Sequence, residues 1–117
     1  MAFLMKGRPM NLLQKRLFAS PKETAEALIK GNKVMVFSKT YCPYCTKAKE
    51  AIGKQISPFG LIELDEAKDG AAIQAALQDL TGQRTVPNVF VNGKHVGGCD
   101  NTLAAIANGE FQKMMQA

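Results

Sequence analysis

Apolar residues recur along this chain with a spacing of three to four in some stretches and two in others, and the switches between these spacings predict its elements. Ser20-Pro21-Lys22-Glu23 carries the Ser/Glu spacing of a capping box with proline at the first helical position. Ala25, Leu28 and Ile29 follow on one side and Gly31 ends the pattern, so a helix is expected over 21–30. An apolar run over 33–38, rich in Val and Phe, suits a buried strand. Pro43 then opens a helix that extends to Gln55, with Ala48, Ala51 and Ile52 facing inward, and Pro58 and Gly60 mark its exit.

Leu61-Ile62-Glu63-Leu64 is short enough to be a second strand, and the helix between it and the first predicts a parallel pair. Residues 65–70 form a polar turn, and Ala71 to Leu80 reads as a helix with Ile73, Ala76, Leu77 and Leu80 on one side, stopped at Gly82. Val89-Phe90-Val91 and Lys94-His95-Val96 flank Asn92-Gly93, which supplies the two positive φ angles of a type I′ hairpin turn. After Gly97-Gly98, either Asp100 or Asn101 can cap a last helix bearing Leu103, Ile106, Phe111 and Met114, which Asn108-Gly109 divides in two. The order of elements is that of an α/β domain: a four-stranded mixed sheet with helices on both faces.

Composition narrows the class. With 117 residues, 46% of them hydrophobic, and no apolar run long enough to cross a bilayer, the chain is expected to be one soluble domain without a membrane partner. The net charge of +5 is concentrated at the start: Lys6, Arg8, Lys15, Arg16 and Lys22 precede the first acid, Glu23, and charges cancel over the remainder. The folded part therefore lacks the basic stripe of a nucleic-acid binder. Residues 1–20 read as a basic extension, or as a short helix from Met10 to Phe18 packing Leu12, Leu13 and Leu17 on the domain. Their acid-free mixture of Arg, Lys, Leu, Met and Phe also fits a mitochondrial presequence, the alternative to a cytoplasmic location. The domain is assigned to residues 21–117, and a monomer is the default.

The chemistry resides at the junction of the first strand and second helix, in Cys42-Pro43-Tyr44-Cys45. Proline is tolerated only in the first turn of a helix, so Cys42 sits at the N-terminus, and the three-residue step to Cys45 places both sulfurs on one face within disulfide reach. A free cysteine is only about 3% thiolate at pH 7, and the thiolate is the nucleophile. A helix N-terminus favours an anion by about 0.3–2 kcal/mol, and Lys39 and the unpaired N–H groups around Tyr44 and Cys45 add charge and hydrogen bonds. Cys45, one turn in and less exposed, lacks that help and is expected to be the resolving thiol. A rival arrangement would complete a zinc site from Cys42, Cys45, His95 and Cys99, although a pair that follows a strand and opens a helix is the context of a redox dithiol.

These residues resemble the dithiol glutaredoxin family: Cys42-Pro43-Tyr44-Cys45 after Lys39-Thr40-Tyr41, Thr85-Val86-Pro87 before a strand, and Gly97-Gly98-Cys99-Asp100 after the hairpin. The resemblance covers 21–117 and implies a thioredoxin-like fold with glutathione as cosubstrate and no metal. Thioredoxin proper is less similar, since that family usually carries Gly-Pro between the cysteines and a tryptophan before them. By resemblance, Lys39, Gln74 and Arg84 lie near the glycyl carboxylate of glutathione, Thr85-Val86 pairs its cysteinyl backbone, and Gly98, Cys99 and Asp100 receive its γ-glutamyl end. Elementary chemistry agrees: Lys39 and Arg84 offer cations to a carboxylate, the last helix's first N–H groups form an anion site, and Asp100 can take the ammonium. Pro87 is expected to be cis, turning the Val86 backbone outward beside Cys42, and Tyr44 is a further glutathione contact.

The expected activity is reduction of protein–glutathione mixed disulfides and protein disulfides, with Cys42 as nucleophile and Cys45 as resolving thiol. Glutathione and glutathionylated or disulfide-bonded proteins are then the partners, with glutathione reductase acting indirectly. The alternative is an iron–sulfur cluster held between two chains by Cys42 and glutathione. Proline after the first cysteine argues against it, because that residue generally accompanies cluster-free members. Cys99 is expected to be a small packing residue whose N–H matters, and His95 a solvent-facing residue without a catalytic role.

Overall fold

A computed structural model describes residues 20–117, so the basic extension, its helix over Met10–Phe18 and its targeting role lie outside the described residues apart from Ser20. The elements are α1 (Pro21–Gly31), β1 (Val34–Ser38), α2 (Pro43–Gly53), β2 (Gly60–Glu63), α3 (Gly70–Thr81), β3 (Asn88–Val91), β4 (Lys94–Gly97), α4 (Cys99–Asn108) and α5 (Glu110–Gln116). The capping box is formed: Ser20 Oγ accepts the Glu23 N–H at 3.1 Å while Glu23 Oε1 accepts the Ser20 N–H at 2.9 Å.

The sheet order is β2-β1-β3-β4, with β1 parallel to β2 and antiparallel to β3, and β3 antiparallel to β4. Because β1 is central, both of its faces are buried, and its side chains divide by the two-residue period. Met35 and Phe37 join Ala25, Ile29, Ile73, Leu77 and Phe90 in a core beneath α1 and α3. Val34 and Val36 join Ile52, Val89, Val91 and Phe111 in a core beneath α2, α4 and α5. Phe37 and Phe90 meet edge to face at 5.8 Å, which fixes the register of the two inner strands on the α1/α3 side. This is the mixed sheet with helices on both faces that the sequence pattern predicts.

The hairpin turn has φ of 49° at Asn92 and 80° at Gly93, as its residue types require. Other boundaries shift. The second helix ends at Gly53 rather than Gln55, and β2 begins at Gly60, although the Leu64 N–H still bonds to Ser38 O at 2.8 Å and continues the pairing. The larger correction concerns α4. Neither Asp100 nor Asn101 caps it; the N-cap is Gly98, with no side-chain cap bond, and Cys99 and Asp100 already belong to the first turn. Gly97-Gly98 turns so tightly out of β4 that the helix starts before the residues whose side chains favour capping. Among the described residues no helix is long and apolar enough to cross a membrane.

Candidate active site

Strand register brings three separate segments to one end of the sheet. β1 pairs antiparallel with β3, so the Lys39-to-Cys42 turn that leaves β1 lies beside the Thr85-Val86-Pro87 segment that enters β3. β4 returns antiparallel along β3, pairing Gly97 with Val89, and therefore delivers Gly98-Cys99-Asp100 to the same end. The three groups singled out from sequence thus converge through topology alone.

Cys42 is the N-cap of α2, in extended conformation with φ −92° and ψ 114°, and its Sγ accepts the Cys45 backbone N–H at 3.2 Å. This N–H has no partner inside the helix, and a sulfur placed on it receives both a hydrogen bond and the positive end of the helix dipole. The turn before it is closed by the Cys42 N–H donating to Lys39 O at 3.2 Å. Cys42 is half-buried, whereas Cys45 is completely buried, and neither they nor Cys99 form a disulfide. Burial, reinforced by the neighbouring Cys42, pushes the Cys45 thiol up to about 11. The two sulfurs therefore differ as expected, one reachable and hydrogen-bonded, the other inside and neutral.

Across the site, the Val86–Pro87 bond is cis, and the Val86 carbonyl oxygen lies 3.9 Å from Cys42 Sγ. A second cis bond, Ser57–Pro58, lies after α2. Cys99 is buried at the start of α4, and its thiol is pushed up by burial, a shift that the Lys47 charge partly opposes. Asp100 is exposed beside it. Tyr41 and Tyr44 stand 71% and 65% exposed on either side of Cys42, leaving two apolar rings for whatever approaches the sulfur. The Lys39 ammonium lies 6.0 Å from the Tyr41 ring centroid.

The expected glycyl-carboxylate group is only partly free. Gln74 Nε2 donates to Arg84 O at 2.8 Å, so its amide positions the Arg84 backbone, and Arg84 Nη1 reaches Gln78 Oε1 at 3.4 Å. The exposed Arg84 guanidinium remains available to an anion. The zinc alternative is not supported by the positions of its members. Among the described residues no three His, Cys, Asp or Glu side chains gather as metal ligands, and His95 Nε2 instead pairs with Asn88 Oδ1 at 2.8 Å.

Two residues that periodicity does not single out also serve this end of the sheet. Asp65, read as part of a polar turn, accepts both the N–H and the hydroxyl of Thr40 and so holds the turn that carries Cys42. Gln83, which no sequence pattern singles out, donates its side-chain amide to Thr85 O at 3.1 Å and to Pro87 O at 3.0 Å. The Asp65 contact spans 25 positions of sequence, the Gln83 bonds reach carbonyls two and four residues further on, and no helical or strand spacing announces either.

The sequence model of the family described as Glutaredoxin matches residues 34–96. The chain is 51% identical over 96 residues to Glutaredoxin-1 of the fungus Rhizophagus irregularis, covering 82% of this chain and 95% of that one. Among solved structures, it is similar to the buckwheat glutaredoxin–glutathione complex, with a TM-score of 0.78, 42% identity and coverage of 92% and 94%. It is also similar to oxidized glutaredoxin 2 from Chlamydomonas reinhardtii, with a TM-score of 0.74, 48% identity and coverage of 82% and 90%.

Proposed function

The chain belongs to the glutaredoxin family of glutathione-dependent disulfide oxidoreductases, and from that premise we propose that Cys42 removes glutathione from protein mixed disulfides. The Cys42 thiolate attacks the glutathionyl sulfur, forming a Cys42–glutathione disulfide and releasing the protein thiolate, which takes up a proton. A second glutathione thiolate then attacks the same glutathionyl sulfur, giving glutathione disulfide and restoring Cys42. With a protein disulfide, Cys42 forms a mixed disulfide to one protein sulfur. Cys45, after losing its proton, attacks Cys42 Sγ, expels the reduced protein and leaves a Cys42–Cys45 bridge for two glutathione molecules to reduce.

The observation that carries this reading is the hydrogen bond from the Cys45 N–H to Cys42 Sγ at 3.2 Å, which places a helix N-terminal donor on the sulfur that is not fully buried. The similarity to a glutaredoxin–glutathione complex supports glutathione as the cosubstrate. In this reading the Val86 backbone pairs the cysteinyl part of glutathione, Lys39 and Arg84 face its glycyl carboxylate, and the α4 N-terminus with Asp100 receives the γ-glutamyl end. Thr85, Pro87, Gly98, Cys99, Gln74 and Tyr44 shape the groove. Glutathione-coupled turnover of a glutathionylated substrate should survive Cys45→Ser and vanish in Cys42→Ser. Equal loss in both variants would refute this division of roles.

A further inference from the structure

The segment that would pair glutathione has no regular secondary structure of its own, yet one side chain holds both its ends. Gln83 Nε2 donates to Thr85 O at 3.1 Å and to Pro87 O at 3.0 Å, so a single amide brackets Val86, whose carbonyl lies 3.9 Å from Cys42 Sγ. Gln83 is itself anchored. Its N–H donates to Thr81 Oγ1 at 3.0 Å, and that hydroxyl donates to Leu77 O at 2.8 Å in the last turn of α3. A Cβ placed on Gly98 would sit 3.7 Å from Pro87 O and 3.9 Å from Gln83 Nε2, so the N-terminus of α4 abuts the same amide.

We propose that Gln83 is a positioning residue for glutathione: it fixes the Thr85-to-Pro87 backbone to the end of α3 and sets its spacing from the α4 N-terminus. It touches neither sulfur. Its effect reaches the substrate through Val86, which must present its backbone at a fixed height above Cys42, and through the groove's width between Val86 and Gly98. A carbonyl satisfied by an internal donor is held in one orientation, whereas one left to water samples several, so losing the amide lowers the fraction of molecules with a formed groove. This inference rests on the glutathione-dependent reading above.

The test replaces Gln83 by Met, which keeps the length and removes the donor, and by Lys, which restores a donor one bond further out. Each is assayed with the mixed disulfide of glutathione and 2-mercaptoethanol, alongside iodoacetamide alkylation of Cys42 and thermal unfolding. For Gln83→Met, the KM for the glutathionyl substrate is expected to rise about five- to tenfold with the loss falling on KM rather than kcat, and Gln83→Lys to recover much of it. Cys42 alkylation, which needs no groove, is expected to stay within about twofold of the parent chain. An unchanged KM overturns the proposal. So does a KM increase matched by slower alkylation and without rescue by Lys, which would show a general structural role. A parent chain that fails to turn over the glutathionyl substrate refutes the functional reading itself and is seen in the control.

Discussion

The Asp65 carboxylate accepts the backbone N–H of Thr40 at 3.0 Å across 25 positions of sequence, and its second oxygen takes the Thr40 hydroxyl. That pair ties the loop after β2 to the turn that delivers Cys42. The Thr40 hydroxyl and N–H, with a smaller contribution from the Lys39 charge, hold the Asp65 carboxyl below its ordinary value of 3.8. A lowered folded-state value means that the stabilisation is complete above pH 3.8 and is lost as pH falls through the lowered value. Asp65→Asn should therefore be less stable than the parent chain at pH 7, and the gap should close below about pH 4. Urea midpoints at several pH values check this, and a gap that widens in acid would count against it.

The burial of Cys45 predicts a second pH dependence. With its thiol at about 11, about one molecule in ten thousand carries the Cys45 thiolate at pH 7. In Cys42→Ser, which removes the Cys42 contribution but keeps the larger one from burial, iodoacetamide should modify Cys45 more slowly at pH 7.5 than it modifies Cys42 in Cys45→Ser. The Cys45 rate should then climb steadily with pH beyond 9. A plateau below pH 9 would show that the buried sulfur ionises like a free one.

His95 should titrate low. Although the residue is exposed overall, its ring lies 5.1 Å from that of Phe90 and bonds Asn88 Oδ1, and loss of water on that side lowers its pKa from 6.5. Its neutral form is the one the fold favours, so its contribution is complete above pH 6.5 and is lost as pH falls through the lowered value. A proton NMR titration of this single histidine should give a midpoint below 6.5, and one above it would contradict the placement.

Lys49 on α2 meets Glu63 on β2 at 2.8 Å, with the two side chains only 21% and 16% exposed. Glu63 Oε1 is buried without another partner, so removing the lysine strands a largely desolvated carboxylate. Lys49→Met should lower stability by about 1–3 kcal/mol, more than a surface pair would. Replacing both residues by apolar ones should cost less than Lys49→Met alone, a comparison that denaturant titration of the single and double variants provides.

What the sequence makes legible here is what repeats or what is chemically rare. Asn92-Gly93 between alternating strands, Ser20 three residues before Glu23, and two cysteines around a proline each have a local cause and are found where expected. The apolar run over 33–38 is the buried strand it suggests, and the structure divides it between two cores, Met35 and Phe37 on one face and Val34 and Val36 on the other. The α4 cap was not legible, because Asp100 and Asn101 have the better capping side chains and only the path out of β4 makes Gly98 the first half-helical residue. Gln74 is placed near the glycyl carboxylate by resemblance alone, and the bond its amide makes to Arg84 O joins residues ten apart, a link no helical spacing encodes. Asp65 and Gln83 are hidden for a related reason: apart from the Thr40 hydroxyl, their partners are backbone groups, which every residue has.

Gly70 is the clearest case of a requirement hidden from pattern, and it yields the last prediction. Read as the end of a polar turn, it is the first residue of α3 and is buried against the chain leaving β2. A Cβ at this position would overlap the Leu64 carbonyl oxygen, with the Leu64 carbonyl carbon at 2.7 Å and Cα at 3.1 Å. The obstacle is backbone, so no side-chain rotation relieves it, and α3 must move away from β2 or the loop over 65–69 must be rebuilt. Gly70→Ala should therefore destabilise by about 1–3 kcal/mol despite alanine's better helix propensity, which alone would stabilise by about 1 kcal/mol. Gly53→Ala is the control: that glycine is the last residue of α2, and nothing lies within 4 Å of its added Cβ. If thermal unfolding shows the two substitutions to be equivalent, the close approach of α3 to Leu64 is not what holds Gly70 in place.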